Sequence, residues 1–331
     1  MELADFNQWL SQRNMQGFWA REPRSNDARP FLWKWSEMAQ ALEIASDLVP
    51  MDKTGRRNVG LRNPTMKGGL TNTIGLGLQI IKPGEIAQTH RHVASAIRFV
   101  IKGSPKAFTI IEGERFPMED GDLITTPNWT WHDHYNGSDD SVAWLDGLDV
   151  RLLAHLNAQF SEEFFQERQA VEKPDGYSRA ALGYARPTWV KKEHRVPPFR
   201  YPWKQTEATL AALKTSEGDP FDAVRLDYVN PVDGGPTCPT FSCEAQLLRP
   251  KEKTQIHRHT TSTVYYAFRG EGVVRVEGEE FHWTQGDILA LPPWQWHGHE
   301  NPSAQDSILF SINDRPVLDV LGLYREEAAG R

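Results

Sequence analysis

Cysteine is almost absent from this chain of 331 residues, in which Cys238 and Cys243 are the only two. Two thiols exclude a disulfide framework, and zinc sites usually need closer spacing and more ligands, so we predict that both are reduced. Basic charge is also scarce, because 37 lysine and arginine residues face 44 acidic ones, for a net charge of −7. The chain has no basic cluster, and we expect no nucleic-acid partner.

Long hydrophobic runs are missing as well. No apolar run approaches the roughly 20 residues that a membrane helix needs. The first residues, Met1-Glu2-Leu3-Ala4-Asp5, are acidic and lack the basic-then-apolar order of a signal peptide. We therefore expect a cytoplasmic protein without membrane association, whose length suits two domains of about 100–200 residues each.

What the chain does contain is a histidine pattern between residues 84 and 134. Gly84 lies six residues before His90, and His132 follows 40 residues after His92 on a second apolar segment. His90 and His92 point to the same face of a strand, because strand side chains alternate. An antiparallel barrel would bring His132 to the same interior, where three neutral imidazoles would hold a divalent metal. A lone His-x-His pair is more often a surface strand, but the surrounding turns favour the metal.

The same plan occurs twice in the chain. His257-Arg258-His259 lies 167 residues after His90-Arg91-His92, and Trp296-His297-Gly298-His299 lies 165 residues after Trp131-His132-Asp133-His134. The first pattern, G-x5-H-x-H followed by a Pro-rich segment ending in His, resembles the cupin family, and the second repeats its histidines and its Pro-rich segment. A repeat of this size indicates a duplicated domain. We therefore predict an all-β-dominated bicupin: two double-stranded β-helix (jelly-roll) barrels with a helical N-terminal arm and a helical connector.

Apolar periodicity and loop composition divide the chain into five parts. The expected parts are a helical N-terminal arm that packs on a barrel or a neighbouring subunit (1–72), a first barrel with the active site (73–150), a connector (151–235), a second barrel (236–315) and a C-terminal helix (316–331). Helical patterns are expected over 152–169 and 206–214 of the connector and over 317–327 at the C-terminus.

The predicted metal sites lack a carboxylate ligand. The usual cupin motif has a glutamate four residues after the second histidine, but this chain has Ala96 and Thr263 there. Three facial histidines leave three open positions on an octahedral metal, enough for O2 and a bidentate substrate. Fe(II) with open facial positions is the arrangement used for oxygen activation.

Arg98 distinguishes the two repeats. It lies six residues after His92, so the two side chains share one strand face, and a buried arginine needs an anion. That anion is either a substrate carboxylate, gripped bidentately, or an internal acid such as Asp146 or Glu85; we favour the substrate. The second repeat has Tyr265 at the matching position. The first barrel is therefore the predicted active site. The other triad is either a second metal site or a relic whose histidines hydrogen-bond internally: His257, His259 and His297.

Further segments resemble the gentisate 1,2-dioxygenase group, which includes salicylate and 1-hydroxy-2-naphthoate dioxygenases. The matching segments are Gln79-x10-His90-Arg91-His92, Ser95-Ala96-Ile97-Arg98-Phe99-Val100, Thr126-Pro127-x-Trp129-x-Trp131-His132-Asp133-His134 and Trp144-Leu145-Asp146-Gly147-Leu148-Asp149. The resemblance covers essentially the whole chain and implies Fe(II) on His90, His92 and His132. It implies an aromatic hydroxy acid that chelates iron through its carboxylate and ortho hydroxyl, with O2 cleaving the ring between those two carbons. It also implies a homotetramer.

The resemblance assigns roles around the metal. Arg98 binds the carboxylate, and His134 hydrogen-bonds near the hydroxyl or the oxygen. One of Arg56 or Arg57 adds a second carboxylate contact, although this Arg-rich segment alone would be interpreted as a solvated surface. The candidate catalytic residues are His134 and Asp146, and the candidate substrate-binding residues are Arg98, Gln79, Arg57 and Gly75.

Gly75 departs from the group, which often has an aromatic residue four positions before the glutamine. We expect the glycine to open space beside the substrate ring. The substrate would then be gentisate or a 5-substituted salicylate such as 5-nitrosalicylate. Two other function classes stay open: a non-catalytic bicupin that binds a small ligand, which requires vestigial triads, and a metal-dependent isomerase or decarboxylase, which requires turnover without oxygen.

Overall fold

The computed structural model describes residues 2–13, 15, 28–66, 68–182, 185, 187–189 and 196–330, except for the side chains of residues 52 and 53. Residues 16–27 of the predicted arm and 190–195 of the predicted connector lie outside the described residues. Helices are few and mostly short in the described part of the chain: α1 (Leu3–Ser11), α2 (Trp35–Leu48), α3 (Met51–Thr54), α4 (Val150–His155), α5 (Tyr177–Ala181), α6 (Trp203–Leu213) and α7 (Arg315–Val320).

Strands make up most of the regular structure. Those up to the connector are β1 (Phe31–Trp33), β2 (Asn58–Gly60), β3 (Gly75–Ile81), β4 (Ile86–His92), β5 (Ala96–Lys102), β6 (Ser104–Ile111), β7 (Glu114–Met118), β8 (Leu123–Thr126), β9 (His132–Asn136), β10 (Val142–Leu148), β11 (Ser161–Glu163) and β12 (Phe199–Tyr201). The remaining strands are β13 (Val224–Asp227), β14 (Ser242–Leu248), β15 (His257–His259), β16 (Thr263–Arg269), β17 (Glu271–Val276), β18 (Glu279–Thr284), β19 (Ile288–Leu291), β20 (His297–Glu300), β21 (Ser307–Asn313) and β22 (Glu326–Ala328).

These strands form two barrels, each made of two antiparallel sheets. The sheets of the first barrel have the orders β12-β8-β5-β10-β3-β2 and β11-β4-β9-β6-β7. Those of the second have the orders β1-β19-β16-β21-β14-β13 and β18-β17-β20-β15-β22. Because side chains alternate along a strand, one face of each sheet lines a barrel interior and the other face packs outside it. The predicted all-β architecture of two barrels is confirmed.

The barrels exchange edge strands. β1 of the N-terminal arm pairs with β19 of the second barrel, whereas β12 of the connector pairs with β8 of the first. A tryptophan follows each exchanged strand: the Trp35 amide donates to Asp287 at 2.8 Å, and the Trp203 amide donates to Asp122 at 2.9 Å. The arm therefore packs on a barrel, as predicted, and it is the barrel more distant in sequence.

Both tryptophans lie against a glycine turn. The backbone φ angle is +77° at Gly121 and +93° at Gly286, a region that glycine occupies without strain. A Cβ atom at Gly121 would come within 2.8 Å of Trp203, and one at Gly286 within 2.4 Å of Trp35. The duplication therefore includes the exchanged arms, which the histidine motifs alone did not indicate.

The barrels pack back to back through the outer faces of β5, β16 and β21. Phe99, which is fully buried, stacks on Phe310 with ring centroids 4.1 Å apart. It also meets the edges of Phe268 at 5.2 Å and Tyr266 at 5.7 Å. One continuous apolar cluster joins the two barrels, while each barrel has a separate interior cluster. The interface thus leaves the inner faces free to carry polar sites.

The helix predicted over 152–169 is wrong beyond His155. Helix α4 ends there, Asn157 adopts a left-handed φ of +52°, and the following residues form β11 against β4. The Arg91 guanidinium pairs with Glu162 of β11 at 2.6 Å. Pairing with the histidine strand outweighs the local helical pattern, because strand formation depends on long-range partners.

The same difference recurs at the C-terminus. The helix predicted over 317–327 ends at Val320, and Glu326–Ala328 form β22 against β15. Arg258 pairs with Glu327 at 2.6 Å, as Arg91 does with Glu162. The predicted helix over 206–214 is confirmed as α6. The arm that was expected to be helical contains α1, α2 and the short α3, together with the strands β1 and β2.

The two cysteines that were expected to be reduced form no disulfide in the structure. Cys238 and Cys243 are free and fully buried, and burial raises the pKa of both thiols well above the usual range. None of the helices in the described part of the chain combines the length and apolar character needed to cross a membrane.

The barrel interface yields a stability prediction. Phe99→Ala should lower the free energy of unfolding by about 3–5 kcal/mol, because a large buried side chain would leave a cavity between the barrels. Phe108→Ala is the matched control, since Phe108 is only half-buried and packs on Tyr135 at the edge of the first barrel. Urea denaturation followed by tryptophan fluorescence measures both losses. Equal losses for the two variants would contradict a central role for Phe99.

Candidate active site and metal centre

The structure brings His90, His92 and His132 together inside the first barrel. β4 and β9 run antiparallel with His90 directly opposite His132, and His92 follows on the same face of β4. The potential ligand nitrogens of the three residues all lie within 4.8 Å of one another. The ring centroids are 5.3 Å apart for His90 and His92, 4.4 Å for His90 and His132, and 4.9 Å for His92 and His132.

Backbone carbonyls orient two of the three rings. The Nδ1 atom of His92 lies 2.7 Å from the Ala94 carbonyl, and that of His132 lies 2.9 Å from the Thr130 carbonyl. Each carbonyl accepts a hydrogen bond from the Nδ1–H group, which leaves the Nε2 lone pair for a metal. The Nε2 atom of His132 is buried and has no hydrogen-bond partner among the described residues. An unpaired, inward-facing nitrogen of this kind fits a metal ligand.

All three imidazoles are held neutral. Burial, and then the Arg56 guanidinium, lowers the pKa of His90 to about 2. Burial also lowers the pKa of His92 to about 4, with Arg98 and Arg56 adding to the effect. The pKa of His132 lies well below its ordinary value for the same reason. Neutral imidazole is the form that binds metals, so the environment selects the ligand state.

Arg98 is the centre of a buried polar network beside the triad. Its Nε donates to Nε2 of His134 at 3.2 Å, and its Nη1 donates to Thr126. Its Nε also lies 3.5 Å from a carboxylate oxygen of Asp146, the internal acid considered as an alternative to substrate. Arg98 and Asp146 are directly opposite on β5 and β10. The guanidinium is thus both held by the protein and close to the metal ligands.

Asp146 has a full set of polar neighbours. Its carboxylate accepts hydrogen bonds from Nε1 of Trp144 at 2.9 Å, from Nδ2 of Asn58 at 3.3 Å and from Nε2 of Gln79. These donors and the nearby Arg98 surround the carboxylate on several sides. Through these contacts the Asp146 carboxylate orients the side chains of Arg98 and Gln79.

Two atoms of this network have no partner in the described part of the chain. They are Oε1 of Gln79 and Nδ1 of His134, and both are buried. Because Nε2 of His134 accepts from Arg98, Nδ1 carries the proton and is a donor. The network therefore offers one acceptor and one donor to a bound molecule.

Arg56 and Arg57 separate in the structure, and it is Arg56 that reaches the triad. An Nη2 of Arg56 contacts Nδ1 of His90 and donates to the Gln88 carbonyl at 3.0 Å. Its Nη1 is buried without a hydrogen-bond partner among the described residues. Burial, and then repulsion by Arg98, lowers the pKa of Arg56 to about 10. The guanidinium thus stays charged at neutral pH.

The expectation that Arg57 contacts the substrate disagrees with its position. Its guanidinium forms a two-point ion pair with Glu85 and donates from Nε to the Val49 carbonyl at 2.7 Å. These contacts hold the Arg57 side chain against the protein's own groups. The sequence could not show which of the two arginines faces the barrel interior. Adjacent side chains in an extended segment point to opposite sides, and the local sequence does not indicate which side becomes buried.

Gly75 also differs from expectation. A Cβ atom at this position would lie 2.7 Å from a methyl group of Val150, the first residue of α4. The volume that an aromatic residue would fill is therefore already occupied by a side chain 75 residues further along the chain. The prediction of open space at Gly75 is wrong at the Cβ position, because the Val150 side chain fills that space.

Comparison with known proteins agrees with the repeated motif. The cupin domain family matches residues 77–148 and 245–313. The 5-aminosalicylate 1,2-dioxygenase of Comamonas sp. is 40% identical over 99% of this chain and 88% of that protein. The chain belongs to the gentisate and salicylate 1,2-dioxygenase group of bicupins. The 1-hydroxy-2-naphthoate 1,2-dioxygenase of Nocardioides sp. strain KP7 is 38% identical over 98% of this chain and 87% of that protein.

Solved structures place this bicupin dioxygenase in the same group. The salicylate 1,2-dioxygenase from Pseudaminobacter salicylatoxidans superposes with a TM-score of 0.90 at 28% identity, covering all of this chain and 98% of that one. The predicted family, the bicupin fold and the assignment as a dioxygenase are confirmed. The histidine triads fit the metal cofactor that such a dioxygenase uses.

Asn58 had no signal in the sequence, and the sequence did not show which contacts Arg56 and Thr126 make. Asn58 lies on β2, Thr126 lies on β8, and Arg56 lies in the segment that precedes β2. These parts of the chain approach the network only in the folded barrel. The Trp144 contact is different, because Trp144 and Asp146 are two residues apart on one strand and therefore share a face. That pair could have been predicted from spacing alone.

The two arginines give the testable prediction. Arg57→Gln should lower the free energy of unfolding by about 1–3 kcal/mol, because Glu85 would lose its charged hydrogen-bond partner. Arg56→Gln should change stability less and lower dioxygenase turnover more. Thermal unfolding and steady-state rates of both variants measure the difference. The reverse pattern would show that Arg57, and not Arg56, serves the site.

Proposed function

We propose that this chain is an Fe(II)-dependent dioxygenase that opens a 2-hydroxybenzoate between the carboxylate-bearing and hydroxyl-bearing carbons, with both atoms of O2 entering the product. Gentisate and 5-substituted salicylates such as 5-nitrosalicylate are the proposed substrates. One observation carries the proposal: three neutral, inward-facing imidazoles lie beside a buried guanidinium, Arg98, inside one barrel.

The triad suits iron with open coordination positions. His90, His92 and His132 would hold the ion through nitrogen alone, with no protein carboxylate at the position of Ala96. Bound there, Fe(II) would supply the redox chemistry that activates O2. The carbonyls of Ala94 and Thr130 hold two of the rings in the tautomer that such binding needs.

The charges around the triad favour an anionic substrate. Asp146 balances Arg98, but Arg56 has no carboxylate within ion-pair distance in the described part of the chain. Metal binding through Nε2 of His90 would leave the proton on Nδ1, which could then no longer accept from Arg56. Arg56 would be available for a substrate carboxylate, and a buried guanidinium gains most from such a partner.

Gln79 and His134 complement the substrate's other oxygen atoms. The free Oε1 of Gln79 can accept from a hydroxyl group, and the free Nδ1 of His134 can donate to an oxygen. Burial lowers the pKa of His134 well below its ordinary value, so the ring is a neutral donor. Asp146 keeps both Arg98 and Gln79 in place, and we assign it a positioning role.

The relatives support a preference for ring-substituted salicylates. Their names specify 5-aminosalicylate and 1-hydroxy-2-naphthoate, both of which carry a carboxylate and an adjacent hydroxyl on a substituted ring. Val150 fills the space beside Gly75, so this pair of residues is where the size of the ring substituent would be selected.

A cytoplasmic homotetramer is part of the proposal, as the resemblance to the group implies. Several large apolar side chains are exposed on the single chain and are available for contact with other subunits. They include Leu48, Phe165, Trp189 and Val320.

Oxygen uptake by the Fe(II)-loaded protein tests the proposal. Gentisate, salicylate, 5-nitrosalicylate, 5-aminosalicylate and 1-hydroxy-2-naphthoate should be compared, and we expect one O2 consumed per substrate opened, fastest with gentisate or a 5-substituted salicylate. Turnover under nitrogen would favour an isomerase or decarboxylase. Binding without any turnover would favour a non-catalytic bicupin. Either result would contradict the ring-cleavage proposal.

Arg98→Lys tests the carboxylate contact without removing the charge that faces Asp146. We expect kcat/KM to fall about tenfold to a hundredfold, since hydrogen bonds to charged groups contribute about 1.5–3 kcal/mol and lysine cannot grip a carboxylate at two points. The melting temperature should change little. Benzoate, which lacks the hydroxyl, should compete less well with substrate in the variant than in the native enzyme. An unchanged kcat/KM would remove Arg98 from substrate binding.

A further inference from the structure

The second barrel contains a triad built like the first. His257 lies opposite His297 on β15 and β20, and the candidate ligand nitrogens of His257, His259 and His297 lie within 4.8 Å of one another. Ring centroids are 5.3, 4.4 and 4.8 Å apart for the three pairs. The inward Nε2 atoms of His257 and His297 are buried and have no partner among the described residues. Histidines that merely hydrogen-bond one another would not leave these atoms unpaired.

Acceptors hold each Nδ1 of this triad. His297 faces the Gln295 carbonyl at 2.9 Å, His259 faces the Thr261 hydroxyl at 2.6 Å, and His257 faces a carboxylate oxygen of Glu326 at 3.0 Å. A carboxylate behind a metal-bound histidine raises the basicity of the ligand and fixes its orientation. In the part of the chain that the structure describes, no carboxylate contacts a triad histidine of the first barrel in this way; there the cation Arg56 contacts His90 instead.

The space that would receive an aromatic acid is filled in the second barrel. Tyr265 and Ser311, opposite each other on β16 and β21, stand where the first barrel has Arg98 and Asp146. Glu244 stands where the first barrel has Gly77, and it accepts from Ser311 at 3.0 Å and from Asn313 at 2.9 Å. A side chain that points inward thus replaces a hydrogen atom.

The charge in the second barrel also disfavours an anion. Arg225 occupies the position of Asn58, because each pairs with the equivalent glutamine, Gln246 or Gln79. Its guanidinium is bound to Asp222, and Glu244 lies close enough to add a second negative charge. No guanidinium in this lining is left to bind a substrate carboxylate.

We propose that the second barrel holds a resident divalent transition-metal ion on His257, His259 and His297, closed to the aromatic substrate, and that this ion secures the C-terminal strand β22 through Glu326. Glu326 is held on its other oxygen by the Tyr324 hydroxyl at 2.7 Å, and β22 pairs with the histidine strand β15. Because a carboxylate supports this triad and a cation opposes the first, the second site binds metal more tightly than the first.

Cobalt counting tests the site independently of turnover and of the proposed function. Chelator-stripped protein should be loaded with Co²⁺, desalted and analysed for metal. We expect two ions per chain in the native protein, one in His132→Ala and one in His297→Ala, with the ion of the native second site released last on titration with a chelator. His92→Gln repeats the count if His132→Ala does not fold. A single ion in the native protein, with none in the folded first-site variant, would overturn the proposal.

Variants of two adjacent glutamates distinguish the effect of metal binding on β22 from the effect of strand pairing alone. In the His132→Ala background, Glu326→Gln should weaken Co²⁺ binding by about 10–100-fold, the usual effect of losing a carboxylate behind a metal-bound histidine. Glu327→Gln is the matched control, because Glu327 lies on the same strand but pairs with Arg258. Co²⁺ should also slow carboxypeptidase removal of the C-terminus in the control but much less in Glu326→Gln. Equal Co²⁺ affinity in the two variants would overturn the role of Glu326.

Discussion

The proposed active site depends on one antiparallel register, in which His90 of β4 lies opposite His132 of β9. A slip of one residue would turn every side chain of β4 to the other face and remove both of its histidines from the barrel interior. Burial then keeps the three imidazoles neutral, and backbone carbonyls hold Nδ1 of His92 and His132. The buried Nε2 of His132, which has no hydrogen-bond partner among the described residues, supports the proposed metal site in the barrel interior.

The two barrels stabilise each other in a way that protects this register. Strand β1 of the N-terminal arm completes a sheet of the second barrel, and β12 of the connector completes a sheet of the first. The tryptophan that follows each of these strands donates a backbone hydrogen bond to an aspartate of the barrel that the strand joins. Phe99 fills the interface immediately behind Arg98, so the outer face of β5 is fixed by packing while its inner face carries the guanidinium. A polar site can be buried at this point because a large apolar cluster holds the strand from behind.

Duplication followed by divergence explains how the barrels differ. Both keep three histidines at equivalent positions, but the surrounding side chains have changed together. The first barrel has glycine at 77 and a guanidinium at 98, whereas the second has Glu244 and Tyr265 at the corresponding positions. The first arrangement leaves room and positive charge for an anionic ring compound, while the second fills the room and cancels the charge. The metal ligands therefore do not determine what a barrel can bind; the side chains behind and beside them do.

The sequence by itself determined the two histidine sets and the strand face of Arg98, because an internal repeat and the alternation of side chains along a strand follow directly from the order of the residues. The two-barrel fold followed from the resemblance of the repeated motif to cupins. Only the tertiary structure decided that Arg56 rather than Arg57 reaches the triad, that Val150 closes the space at Gly75, and that two segments with helical patterns form strands. Each of these outcomes depends on a partner distant in the chain. Local pattern specifies which side chains share a face, but only folding specifies what lies opposite that face.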